Sequence, residues 1–94
     1  MDLQKGDCVR SLKGHDTGSV CYVVDIAEDF VYLADGKHRR IGAPKKKRSK
    51  HVSDVGRWAH PVTDRITRGE PVLDSEIRRA LAAFRDTFSE TKEV

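Results

Sequence analysis

Apolar and polar residues alternate with a period of two through the first half of the chain and recur with a helical period near its end. Residues 19–27 carry the strongest strand pattern: Val20, Tyr22, Val24 and Ile26 fall on one face, and Cys21, Val23 and Asp25 on the other. Both faces are apolar at the centre, as in a small curved barrel. Glu28-Asp29 makes a turn into residues 30–34, a second strand rich in β-forming side chains. Residues 8–12, after Gly6-Asp7, read as a short edge-type strand. Asp35-Gly36 marks a hairpin, from which the chain is expected to return as a basic strand over residues 37–41. Gly42-Ala43-Pro44 breaks that strand, because proline cannot donate to a ladder. Residues 45–52 supply a last short strand. Five short strands in about fifty residues have the dimensions of a small antiparallel barrel.

Residues 53–72 contain Gly56, Pro61, Gly69 and Pro71 and read as irregular or broken helix, with Trp58 anchoring the segment on the barrel. A helix is expected from Ser75 to Phe88. Asp74 can cap it, and Ile77, Leu81, Phe84 and Phe88 form one apolar face. The expected organisation is a barrel over residues 1–55, an irregular connector over 56–72, and a helix with a frayed tail over 73–94.

Charge sharpens this picture. Of the 94 residues, 35% are charged, so the core must be small. The net charge of +3 is unevenly placed. Residues 1–60 hold 12 Lys and Arg against 8 Asp and Glu, whereas residues 61–94 hold 6 against 7. The basic function therefore belongs to the N-terminal part, and the C-terminal part reads as electrostatically bland. Between Lys37 and His51 lie eight cations and no carboxylate: Lys37, Arg39, Arg40, Lys45, Lys46, Lys47, Arg48 and Lys50. Such a ridge on a small β fold calls for a polyanion, nucleic acid first. A solvated surface run is the bland alternative. Pro44-Lys45-Lys46-Lys47-Arg48 also has the composition of a nuclear import signal.

The remaining chemistry is sparse. Cys8 and Cys21 form no CxxC and read as buried small hydrophobes. No two of His15, His38, His51 and His60 stand at metal-ligand spacing, so no metal or other cofactor is expected. No Walker loop, GxGxxG, GxSxG or HExxH is present, so an enzyme is not expected. The first residues lack the apolar stretch of a secretory leader, and the longest apolar run, residues 20–24, is far short of a membrane span. The expectation is a cytoplasmic protein without a membrane partner. Tyr22 and Phe30 are expected in the core; Tyr32 is divided between the core and base stacking.

Three stretches of sequence carry a family resemblance. The first is Lys5-Gly6-Asp7-Cys8-Val9-Arg10, followed by Gly14-His15-Asp16-Thr17-Gly18 and by Val23 and Ile26. It resembles the KOW motif, a strand, a glycine-containing loop and a second strand found in RNA-binding ribosomal and transcription proteins. The second runs from Val31-Tyr32-Leu33-Ala34-Asp35-Gly36 through Arg39-Arg40-Ile41 to Pro44-Lys45-Lys46-Lys47 and Lys50-His51-Val52. It is similar to the bacterial KOW-domain RNA-binding proteins, which are themselves similar to KOW-containing large-subunit ribosomal proteins of archaea and eukaryotes. The third, Leu73-Asp74-Ser75-Glu76-Ile77-Arg78-Arg79-Ala80-Leu81, looks like the tail of the bacterial group. Ser19 and Cys21 depart from the pattern, standing where many KOW sequences carry a basic residue and a glycine.

The resemblance implies a mainly β, small SH3-like barrel of about five strands with a C-terminal α-helix. It also implies RNA binding and a connection to ribosomal RNA, the ribosome and translation. The RNA-contacting residues are then Lys13, Gly14, His15, Gly18, Lys37, Arg39, Arg40, Lys45, Lys46, Lys47, Arg48 and Lys50. A protein-interaction module is the alternative. It would use the C-terminal helix or an aromatic surface, for instance against a ribosomal protein.

Overall fold

The computed structural model describes residues 3–12 and 19–89, without the side chains of the last two. Five strands are formed: β1 (Asp7–Ser11), β2 (Val20–Ala27), β3 (Phe30–Ala34), β4 (Lys45–Arg48) and β5 (Val52–Arg57). Helices α1 (Pro61–Arg68) and α2 (Asp74–Ser89) follow. All pairings are antiparallel, in the order β4-β3-β2-β1-β5. The fold is mainly β and SH3-like. The sheet is open, because among the described residues β4 and β5 end the order and are not paired to each other.

The sheet is nevertheless strongly curled. In a flat sheet β4 and β1 would lie about 14 Å apart, three strand spacings. Yet Lys47 Nζ of β4 donates to Ser11 Oγ of β1 at 2.6 Å. The curl gathers Val9, Cys21, Val23, Val31, Leu33 and Val52 into one buried cluster. Side chains alternate across a strand, so Cys8, Tyr22 and Ala34 point to the other face. There they pack under Val62, Ile66, Ile77, Ala80, Leu81 and Phe84 of the two helices. Cys8 and Cys21 thus lie buried on opposite faces of the sheet and form no disulfide.

Tyr22 ties α1 to the sheet. It is fully buried, and its hydroxyl and that of Thr63 lie 2.7 Å apart in a hydrogen bond. Burial pushes the Tyr22 phenol up to about 12. Arg57 of β5 pairs with Asp7 of β1 at 2.7 Å and donates to the Thr67 hydroxyl of α1. Trp58, half-buried, sets its ring edge-on to Phe84 at 5.6 Å, so it anchors its segment through α2.

Several expected elements move. No strand forms over residues 37–41; those residues are loop, and the return strand is β4. The segment 45–52 is divided by a 3-10 turn (Ser49–His51). The connector is ordered, with β5 reaching Arg57 and α1 occupying residues 61–68. Pro61 and Gly69, read from sequence as breakers, instead start and stop α1. Proline at the first helical turn lacks only an N–H that would have no helical partner. Gly69, at φ 76°, takes the left-handed conformation that ends the helix. His60 Nδ1 accepts the Val62 N–H at 3.1 Å, capping the other end. The C-terminal helix lies within one residue of expectation at each end.

Arg65 of α1 holds Glu76 of α2 with two hydrogen bonds, at 2.7 and 2.9 Å, and Glu76 Oε1 also accepts the Leu73 N–H at 2.9 Å. These bonds, the arginine's first, hold the Glu76 carboxyl down to about 2. A carboxyl depressed in the folded state stabilises that state above its unfolded value, and the effect fades as pH falls toward the folded value. Glu76→Gln should therefore lower the thermal midpoint at neutral pH, with the two proteins converging between about pH 4.5 and pH 2. Phe84 is buried against the sheet, so Phe84→Ala should cost about 3–5 kcal/mol, measured by urea unfolding.

Candidate nucleic-acid interface

Four consecutive cations make a poor strand by intrinsic preference, and β4 forms because β3 supplies the ladder. Pro44 precedes it, where a missing N–H costs no ladder bond. Alternation then divides the cations between two faces. Lys46 and Arg48 share a face with their partners Tyr32 and Phe30. The Lys46 ammonium sits 4.3 Å from the Phe30 ring centroid and the Arg48 guanidinium 5.1 Å from it. Phe30 is therefore half-buried beneath two cations rather than in the core, a correction to the sequence expectation. Tyr32 is half-buried beside it. Lys45 and Lys47 point the other way, and Lys47 is tied to Ser11. Lys50 is exposed on the 3-10 turn, whose Ser49 N–H donates to the Asp29 carbonyl at 2.8 Å.

The loop cations have a different support. Asp35 Oδ1 accepts the N–H groups of Lys37 and Arg39 at 2.9 and 2.8 Å, closing a tight turn. That turn docks on α2. Asp74 Oδ1 accepts the Ile41 N–H at 2.7 Å, and Arg78 Nη1 donates to the Gly36 carbonyl at 2.6 Å. Gly36 is required here: its φ is 79°, and a Cβ would run into the Asp74 carbonyl. Asp74, expected to cap its own helix, thus clamps the loop through its side chain. Lys37 and Arg40 are exposed and Arg39 half-buried.

The basic segment is accordingly one charge run with two supports, an edge strand and a loop held on α2. Lys13, Gly14, His15 and Gly18 lie outside the described residues. Arg78 and Arg85 of α2, outside the basic run of residues 37–51, also border the loop. Their spacing of seven along a helix was the available signal.

Among the described residues, no three of His, Cys, Asp and Glu come together as a metal site. No helix among them is long and apolar enough to cross a membrane. Burial pushes the Cys8 thiol up to about 12, which keeps it protonated. A comparison with protein-family models finds no match, and a search of curated proteins finds no relative.

Asp74→Ala should release the loop. Deuterium exchange at the Ile41 amide should speed up several-fold, matching a lost hydrogen bond of about 1 kcal/mol. Asp74→Asn keeps the accepting oxygen and should restore most of the protection.

Proposed function

We propose that this chain is a non-catalytic RNA-binding module that acts on ribosomal RNA or the ribosome in the cytoplasm. The observation that carries the proposal is the outer face of β3 and β4. Lys46 and Arg48 lie there beside Phe30 and Tyr32, on a sheet edge with no carboxylate between residues 37 and 51. Cations displace counterions from a phosphate backbone, and the two rings offer stacking surfaces to unpaired bases. The loop cations Lys37, Arg39 and Arg40 extend the positive surface toward α2. Binding of this kind is dominated by backbone and shape, with little base readout. The KOW-like pattern of residues 5–52 supports RNA over DNA and supports the ribosomal connection.

The interaction-module alternative draws less support. Ile77, Leu81 and Phe84 are buried against the sheet, so this face of α2 is engaged within the chain.

Anisotropy with a structured rRNA fragment across a salt series tests the proposal. Neutralising about five to seven phosphates gives a slope of log K against log salt of about −3.5 to −5. Changing Lys45, Lys46 and Arg48 together to Gln should flatten the slope by about two units. The thermal midpoint should hardly move, because exposed charges contribute little to stability. A flat salt response in the parent protein contradicts the proposal.

A further inference from the structure

Between the 35–43 loop and α2 runs an open groove of about 470 Å³. Ser19, Asp35, Lys37, His38, Arg78 and Arg85 line it. Arg78 and Arg85 lie two turns apart on one side of α2, flanking the stripe of Ile77, Leu81 and Phe84 that packs on the sheet. Lys37 faces them from the loop.

The charges in this groove do not balance. The Lys37 ammonium and the Arg85 guanidinium make no ion pair or side-chain hydrogen bond among the described residues. Arg78 gives one N–H to Gly36, of the five a guanidinium carries. Among the described residues Asp35 is the one carboxylate lining the groove. Its Oδ1 accepts two backbone N–H groups, and its Oδ2 lies 3.9 Å from His38 Nδ1. Among the described residues, three permanent cations against one occupied carboxylate form a concave site that favours an anion. The loop backbone is pinned through Gly36 and Asp74, so the chain positions from which Lys37 and the α2 arginines reach the groove are fixed before a ligand arrives.

We infer that this groove holds a phosphate of the RNA backbone, so that α2 forms the second wall of the nucleic-acid interface. The inference rests on the RNA-binding proposal. The groove is within the size of small-ligand clefts, about 300–1,000 Å³, with room for a nucleotide unit. Its position sets the path of the strand: from the outer face of β4, along Arg40 and Lys37, into the gap beside Arg85. The C-terminal helix, bland by net charge, then supplies two arginines to binding.

The test is a titration of the ¹⁵N-labelled chain with an rRNA fragment, following two sets of amides. Residues 45–50 report the ridge; residues 37, 38, 78, 82 and 85 report the groove. Beside it, Lys37→Gln with Arg85→Gln is titrated by anisotropy across a salt series. Arg78 is left intact because it holds the loop. The expected result is shifts in both sets, a salt slope flatter by about 1.4 units, and an unchanged thermal midpoint. Shifts confined to the ridge, with an unchanged slope, overturn the groove and leave the RNA-binding proposal standing. Shifts confined to the groove support it and overturn the ridge as the main contact. A spectrum that RNA leaves unchanged overturns both.

Discussion

Strand β2 is apolar on both faces, and that constraint organises the molecule. Cys21 and Val23 need cover on one side of the sheet, Val20 and Tyr22 on the other. Curling the sheet covers the first pair, bringing Val9, Val31, Leu33 and Val52 over it. A sheet this small cannot cover its outer face as well, so two helices do so, with the Tyr22–Thr63 hydrogen bond satisfying the buried polar atoms of that contact. The part the helices leave open is the outer face of β3 and β4, where the chain places Phe30, Tyr32, Lys46 and Arg48. The polar requirements of an edge strand and the proposed binding surface coincide there, since lysines on an edge also deter pairing with another chain.

The parts of this fold visible in the sequence are those where local pattern and tertiary demand agree. The two central strands and the C-terminal helix carry strong periodicity and fall close to expectation. β4 falls within the strand expected over residues 45–52, whereas the strand expected over 37–41 is loop, because β3 takes β4 as its partner instead. β5 was hidden by Gly56, which sits at φ 119° in a strand whose register against β1 shifts between Cys8 and Val9. α1 falls in the stretch expected as irregular or broken helix; its bounds were not legible because Pro61 and Gly69 read as interruptions, whereas at those offsets they start and stop a helix. Such a pair is ambiguous until the buried side chains between them, Val62, Thr63 and Ile66, have a surface to pack against.

The candidate site was legible in its cations and hidden in its geometry. Counting charge from Lys37 to His51 found the basic residues. It did not show that Lys46 and Arg48 cover an aromatic ring while Lys47 is turned inward. Nor did it show that the loop cations are held on α2. Averaging charge over residues 61–94 concealed Arg78 and Arg85, because several carboxylates that offset them in the count are engaged elsewhere. Glu76, for example, is held by Arg65. Net charge describes a segment, while binding depends on which side chains share a surface.

The most direct measurement of the central claim is ultraviolet crosslinking of the native protein to RNA in cells, read by mass spectrometry of nucleotide-bearing peptides. The expected result is adducts within residues 30–50, on the peptides that carry Phe30, Tyr32 and β4. Recovery of the protein without any RNA adduct, or with adducts only outside that span and α2, contradicts the claim that this face binds RNA.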